Sequence, residues 1–178
     1  MSLAVMLTAG LMGLPMTGSN HDVGGLLFTR VRSTEAYMIG LIREGYDRSS
    51  TFRELVDFLQ HTNVIVSIHP VPCAGGRIRS CLVAVKGSRQ ERHIWIKVDP
   101  QHTIRDWLIA TTAHELQHAV EIAENPGVID RTSLLELYRR IAVGRCGQGL
   151  SEECETPRAR ATERQVLGEL SENRSRSK

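Results

Sequence analysis

From Leu108 to Val120 the only ionisable side chains are His114, Glu115 and His118. This window lies within a longer stretch, 103–123, that reads as one helix and is closed by Asn125-Pro126-Gly127. A helical segment so poor in charge has to be enclosed by other elements. Enclosing two imidazoles and a carboxylate costs free energy unless something coordinates or hydrogen-bonds them. The rest of the chain must therefore supply walls around this helix and a reason for its three polar residues.

The composition provides for such walls. The 178 residues are 41% hydrophobic and 24% charged, the balance of a globular domain with a core and not of a disordered chain. Aromatic residues make up only 4%, so aliphatic side chains must fill the core, and no base-stacking surface for single-stranded nucleic acid is expected. A net charge of +2 is too balanced to imply nucleic acid or a membrane surface as partner. Arg77, Arg79, Lys86, Arg89, Arg92 and Lys97 read as a solvated strand face. No apolar run reaches the roughly 18 residues of a membrane span.

Periodicity places further elements around the central helix. A helix is expected over 33–44, ended by Gly45. A second opens at the capping pattern Thr51-Phe52-Arg53-Glu54 and runs to about Gln60, burying Phe52, Leu55, Val56, Phe58 and Leu59. β-branched residues in alternation predict strands over 63–68, 77–85 and 92–98, with a turn at Lys86-Gly87-Ser88. Two more helices are expected over 133–143 and 155–170. The fold class is α+β: an antiparallel sheet packed against the 103–123 helix, in a domain spanning 20–170. Residues 20–32 read as its leading linker and 171–178 as a polar, disordered tail.

The apolar stretch from Leu3 to Met16, followed by Thr17-Gly18-Ser19, has the length and small-residue flank of a secretory signal, although no Lys or Arg precedes it. A secreted or periplasmic location is expected, with a cytoplasmic one as the alternative. Cys73, Cys81, Cys146 and Cys154 are even in number, which fits an oxidising compartment. A tight hairpin at Ala74-Gly75-Gly76 would set Cys73 opposite Arg77, so a Cys73–Cys81 bridge requires a wide loop. Cys146 and Cys154 flank Gly147-Gln148-Gly149 and could close more easily; four small buried thiols are the alternative.

The residues 111–120 read Thr-Thr-Ala-His-Glu-Leu-Gln-His-Ala-Val. On a helix, residues four apart share a face, so His114 and His118 can present ring nitrogens to one metal ion at about 2.0–2.1 Å. Glu115 points about 100° round the axis, where it can deprotonate a metal-activated water without displacing either histidine. With 7 histidines and 14 glutamates in the chain, chance gives this pattern in roughly 2% of such sequences. A di-iron bundle would need a second Glu-x-x-His, which is absent from the sequence. His61, His69, His93 and His102 are scattered and read as surface or strand residues. Tyr138 could reach the metal to stabilise an oxyanion, although a buried helix-edge role fits it better. Glu121 is either an outer partner of the metal site or solvated.

This segment resembles the HExxH zincin metallopeptidases. The resemblance rests on His114, Glu115 and His118 and on the uncharged residues Thr111, Thr112, Leu116, Gln117, Ala119 and Val120 around them. It implies a small sheet whose edge strand precedes the active-site helix, which 92–98 followed by 103–123 would match. It also implies a third ligand downstream. The metzincin continuation fails, since Glu121 and Glu124 stand where that motif has glycine and histidine. The gluzincin type takes a glutamate from a later helix, with Glu152, Glu153, Glu155 and Glu163 as candidates. Glu155 is preferred for its place near the helix start, after a glycine-rich loop and before Pro157. The acidic residue often found one turn on in that pattern is lacking.

The resulting expectation is a gluzincin-like zinc hydrolase that cleaves peptide bonds. His114, His118 and Glu155 would bind Zn2+, and Glu115 would act as general base and then general acid. Its partner would be a peptide or protein, held along the strand before the active-site helix. The alternatives are hydrolysis of a non-peptide amide such as a cell-wall fragment, or an interaction module that keeps zinc for structure. The latter would close the fourth position with Cys154 or another histidine.

Overall fold

The computed structural model describes residues 28–73, 79–101, 104–143 and 154–176. The proposed signal segment, the 74–76 turn, Cys146, Glu152, Glu153 and the glycine-rich loop lie outside them. The described elements are β1 (Val31–Arg32), α1 (Ala36–Arg48), α2 (Ser50–Gln60), β2 (Val64–His69), β3 (Ser80–Gly87), β4 (Arg92–Val98), α3 (Arg105–Ala123), α4 (Arg131–Ile141) and α5 (Pro157–Arg176). The class is α+β, as expected from the sequence. None of the described helices is long and apolar enough to cross a membrane.

The sheet is mixed, not antiparallel. Its order is β1-β2-β4-β3, with β1 and β4 both parallel to β2 and only β3 antiparallel to β4. Side-chain alternation fixes which face of a strand is buried, but carries no information on the direction of its neighbour. Strand β4 therefore lies inside the sheet, and β3 forms the edge that the sequence assigned to 92–98. The β3–β4 turn depends on Gly87, where φ is 157° and a Cβ would fall 2.2 Å from the Glu91 carbonyl oxygen. Residues 31–32, read as linker, form β1.

Helix α3 is the core helix. It packs against α1, α2 and α5 and against β2, β3 and β4. Every residue from Leu108 to Ile122 is buried. Arg92 anchors its C-terminal end. This side chain, expected on a solvated face, is 1% exposed. Its guanidinium donates to the carbonyls of Ile122 (2.6 Å), Ala123 (3.2 Å) and Asn125 (3.0 Å) and to Asn63 Oδ1 (2.7 Å). A cation at a helix C-terminus satisfies carbonyls that have no partner in the helix, and joins α3 to the first residue of β4.

Helix α4 spans 131–141 instead of the expected 133–143, and α1 and α5 begin at Ala36 and Pro157 instead of 33 and 155. Three further boundaries differ from expectation through tertiary contact. Helix α1 continues through Gly45 because this glycine lets two neighbours approach. A Cβ there would stand 2.9 Å from the Phe52 ring and 3.0 Å from Ile109. The N-cap of α2 is Ser49, which accepts from the Phe52 N–H. The carboxylate expected from Glu54 comes instead from Glu169 on α5, which accepts from the hydroxyls of Ser49, Ser50 and Thr51 and from the Thr51 N–H. Phe58 is on the exposed side of α2. Helix α5 runs on to Arg176, through the expected tail, where Arg174 pairs with Asp106 at 2.6 Å and Asn173 donates to the Arg48 carbonyl. A capping box of Asp130 and Ser133 starts α4.

Cys73 and Cys81 are bridged, with their Cα atoms 6.2 Å apart. The buried-thiol alternative is thus excluded for this pair. Cys154 is also disulfide-bonded.

Candidate metal centre

The polar residues of α3 meet acidic residues from two other segments at an open cleft. Its walls include Ser80 from β3, His114, Glu115 and His118 from α3, Tyr138 from α4, and Glu155 just before α5. One nitrogen from each of His114 and His118 and one Glu155 oxygen lie within 4.8 Å of one another. The i, i+4 spacing puts both rings on one face of α3, with centroids 4.9 Å apart and planes at 78°. Glu155 is not on the helix expected to carry it. It is an extended residue in a bridge with Val143, whose N–H donates to its carbonyl at 2.9 Å, and this geometry turns its side chain toward α3.

The donor set fits a divalent cation. Glu155 Oε2 is 3.3 Å from His114 Nε2, and tetrahedral ligands at zinc–ligand distances of about 2.0–2.1 Å stand roughly 3.4 Å apart. Buried Glu155 Oε2 makes no well-formed hydrogen bond, although a buried polar atom normally does; its cationic neighbours, His114 Nε2 at 3.3 Å and Arg160 Nε at 3.5 Å, stand only at ion-pair distance. His118 uses Nδ1 to bond Glu121 Oε2 at 2.9 Å, which leaves Nε2 toward the cleft. Glu121 is 2% exposed, and its other oxygen accepts from Thr156 Oγ1 at 2.6 Å. It is therefore an outer partner of the site and not a solvated residue.

The electrostatics point the same way. Burial pushes the His114 imidazole toward the neutral form. The adjacent Glu155 and Glu163 carboxylates, with Glu115 behind them, outweigh burial and raise its pKa to about 10. Glu155 and Glu163 are both held below the usual carboxylate range, chiefly by the adjacent His114 ring and against the opposing effect of burial. The pocket is thus built to stabilise a positive charge between these groups. Burial, reinforced by Glu121, Glu115 and Glu155, keeps the Tyr138 phenol well above its ordinary value, so it remains a neutral donor. Its hydroxyl is buried without a partner and its ring stands edge-on to His118, with centroids 5.4 Å apart.

Of the expected ligands, His114, His118 and Glu155 come together. Glu163, the second candidate, stands on the opposite side of His114, 3.6 Å from Nδ1, and accepts from Thr111 Oγ1 at 3.3 Å. Glu115 is 4% exposed and accepts from Ser80 Oγ at 2.6 Å. Sequence reasoning passed over Ser80 and Thr156, whose partners lie 35 residues away in each case. No local spacing signals such pairs. Among the described residues, His61, His69 and His93 take no part in the cleft. No family model, curated protein or solved structure matches this chain, so the site's own geometry carries the functional argument.

Proposed function

We propose that this chain is a zinc-dependent hydrolase that cleaves peptide bonds, with a centre of the gluzincin type. The observation that carries the reading is the convergence of His114, His118 and Glu155 on an open cleft that also holds the Glu115 carboxylate. Two imidazoles and one carboxylate are the ligand set of catalytic zinc, and three protein ligands leave a position open. A zinc ion held there supplies Lewis-acid polarisation of the scissile carbonyl and acidifies a water.

The chain's own groups do the rest. Glu115 takes a proton from the attacking water and delivers it to the leaving amine. Tyr138 offers its neutral hydroxyl to the oxygen on which negative charge develops. Glu121 holds the tautomer and angle of His118 through Nδ1. The outer edge of β3, which borders the cleft at Ser80, can pair with the backbone of an extended peptide. A secreted or periplasmic setting accords with the oxidised Cys73–Cys81 pair. The oxidised state of Cys154 speaks against a closed structural site, since its sulfur is not a thiolate able to take the fourth position.

The test compares zinc-loaded wild type with Glu115→Gln on fluorescein-labelled casein. The expected result is about one zinc per chain in both proteins, with hydrolysis in wild type only. Equal hydrolysis by the two would remove the general-base role. Failure of either to retain zinc would remove the centre.

A further inference from the structure

Three carboxylates line one cleft: Glu115, Glu155 and Glu163. In the hydrolytic reading only one of them should be a zinc ligand and only one a base, yet chemically they are the same group. Glu115 and Glu163 each accept from a hydroxyl, but only the bond to Glu115 is short and buried; Thr111 Oγ1 stands 3.3 Å from Glu163 Oε1. Ser80 Oγ donates to Glu115 Oε1 at 2.6 Å, between residues that are 8% and 4% exposed. No hydroxyl donates to Glu155 Oε2, whose neighbours are His114 Nε2 at 3.3 Å and Arg160 Nε at 3.5 Å.

We infer that Ser80 is the positioning residue of the catalytic base: it reserves Glu115 for proton transfer and keeps its carboxylate off the metal. The inference rests on the hydrolytic reading of the site. The terminal torsion of a glutamate is broad and roughly two-fold, so an untethered carboxylate in this cleft can turn toward whatever positive charge is present. A short, buried bond to Oε1 fixes one oxygen and leaves Oε2 to accept the proton from water and return it to the leaving nitrogen. Ser80 keeps its own proton throughout.

Its position is well fixed. Ser80 is the first residue of β3 and pairs with Val98. The preceding carbonyl, that of Arg79, accepts from the Asp99 N–H at 2.7 Å. The following residue, Cys81, is tied to Cys73. The hydroxyl thus reaches the helix from a backbone held on both flanks, which is the support that a precisely placed group needs.

Two measurements test this. The first uses metal-free protein and a double-mutant cycle of Ser80→Ala and Glu115→Ala in denaturant unfolding. The two losses should be non-additive by about tenfold or more in the unfolding constant, since a buried bond to a charged group is at stake. Additivity within about twofold would show that the pair is not coupled and overturn the inference. The second uses zinc-loaded protein and casein. Ser80→Ala should lower kcat by about tenfold or more with KM and zinc affinity nearly unchanged, and Ser80→Thr, which keeps the hydroxyl, should restore most of it. Full kcat in Ser80→Ala, or no rescue by threonine, would refute the positioning role and leave the hydrolase standing. An inactive wild type would refute the hydrolase itself, and the positioning role with it, whatever the cycle shows.

Discussion

Replacing Glu121 by glutamine changes the site without touching a proposed ligand. The wild-type carboxylate accepts two bonds, from His118 Nδ1 at 2.9 Å and from Thr156 Oγ1 at 2.6 Å, in a position that is 2% exposed. A glutamine of the same shape has one acceptor oxygen and one NH2 group; its oxygen can accept from His118 Nδ1 only while its NH2 turns to the Thr156 hydroxyl, which then accepts where it had donated. The charge-assisted carboxylate partner of His118 is thereby replaced by a weaker neutral amide, and the ring is both less basic and less firmly held. Loss of an outer partner of this kind typically costs 10–100-fold in metal affinity, or about 1.4–2.7 kcal/mol. Glu121→Gln should therefore weaken zinc binding by about 10–100-fold in competition with a chromogenic chelator, at unchanged stoichiometry. Affinity within about twofold of wild type would show that the Glu121–His118 bond does not orient the centre, and the layered account of the site would fail.

Other expectations follow from separate parts of the structure. Glu155→Ala should reduce zinc affinity by more than about 100-fold, and Glu163→Ala by less than about tenfold; the reverse order would move the third ligand to Glu163. Gly45→Ala brings a Cβ to 2.9 Å from the Phe52 ring. Overpacking of roughly 1–3 kcal/mol there exceeds the helix-propensity gain of about 1 kcal/mol, so the chain is destabilised. Gly168→Ala, with nothing within 4 Å of its Cβ, should stabilise the same fold in the same urea titration, and equal effects at both sites would contradict the packing argument. Burial alone would raise the Glu169 carboxyl, but the hydroxyls of Ser49, Thr51 and Ser50 and the Thr51 N–H hold it below its ordinary value of 4.5. A depressed carboxyl contributes stability above the unfolded value and loses it as pH falls through the folded one. Wild type should therefore lose stability faster than Glu169→Gln on acidification below about pH 5, and parallel curves would remove the cap from the acid response.

The sequence revealed much of this design where the signal was local. The uncharged window of α3 announced its burial, and His114 and His118 meet because four residues make about one turn. Ser133 reads as the first residue of α4, whereas it sits three residues past the N-cap Asp130 and closes the capping box, a local pair that the sequence reading overlooks. What else was hidden depended on distance along the chain. Gly45 reads as a helix terminator until Phe52 and Ile109 are seen against it. Arg92 reads as a surface cation until the end of α3 is found above it. The parallel pairing of β2 with β4 leaves no mark on either strand's alternation. Glu155 was picked out for its place near a helix start, yet it reaches His114 from an extended segment through its bridge with Val143. Ser80, in a strand and without a motif, could be joined to Glu115 only in three dimensions.

X-ray absorption at the zinc edge of the loaded protein tests the central claim most directly. The account predicts one zinc per chain, with two imidazole nitrogens and one carboxylate oxygen near 2.0–2.1 Å and no sulfur scatterer. A sulfur ligand near 2.3 Å, a single imidazole, or a coordination sphere unchanged by Glu155→Ala would contradict it.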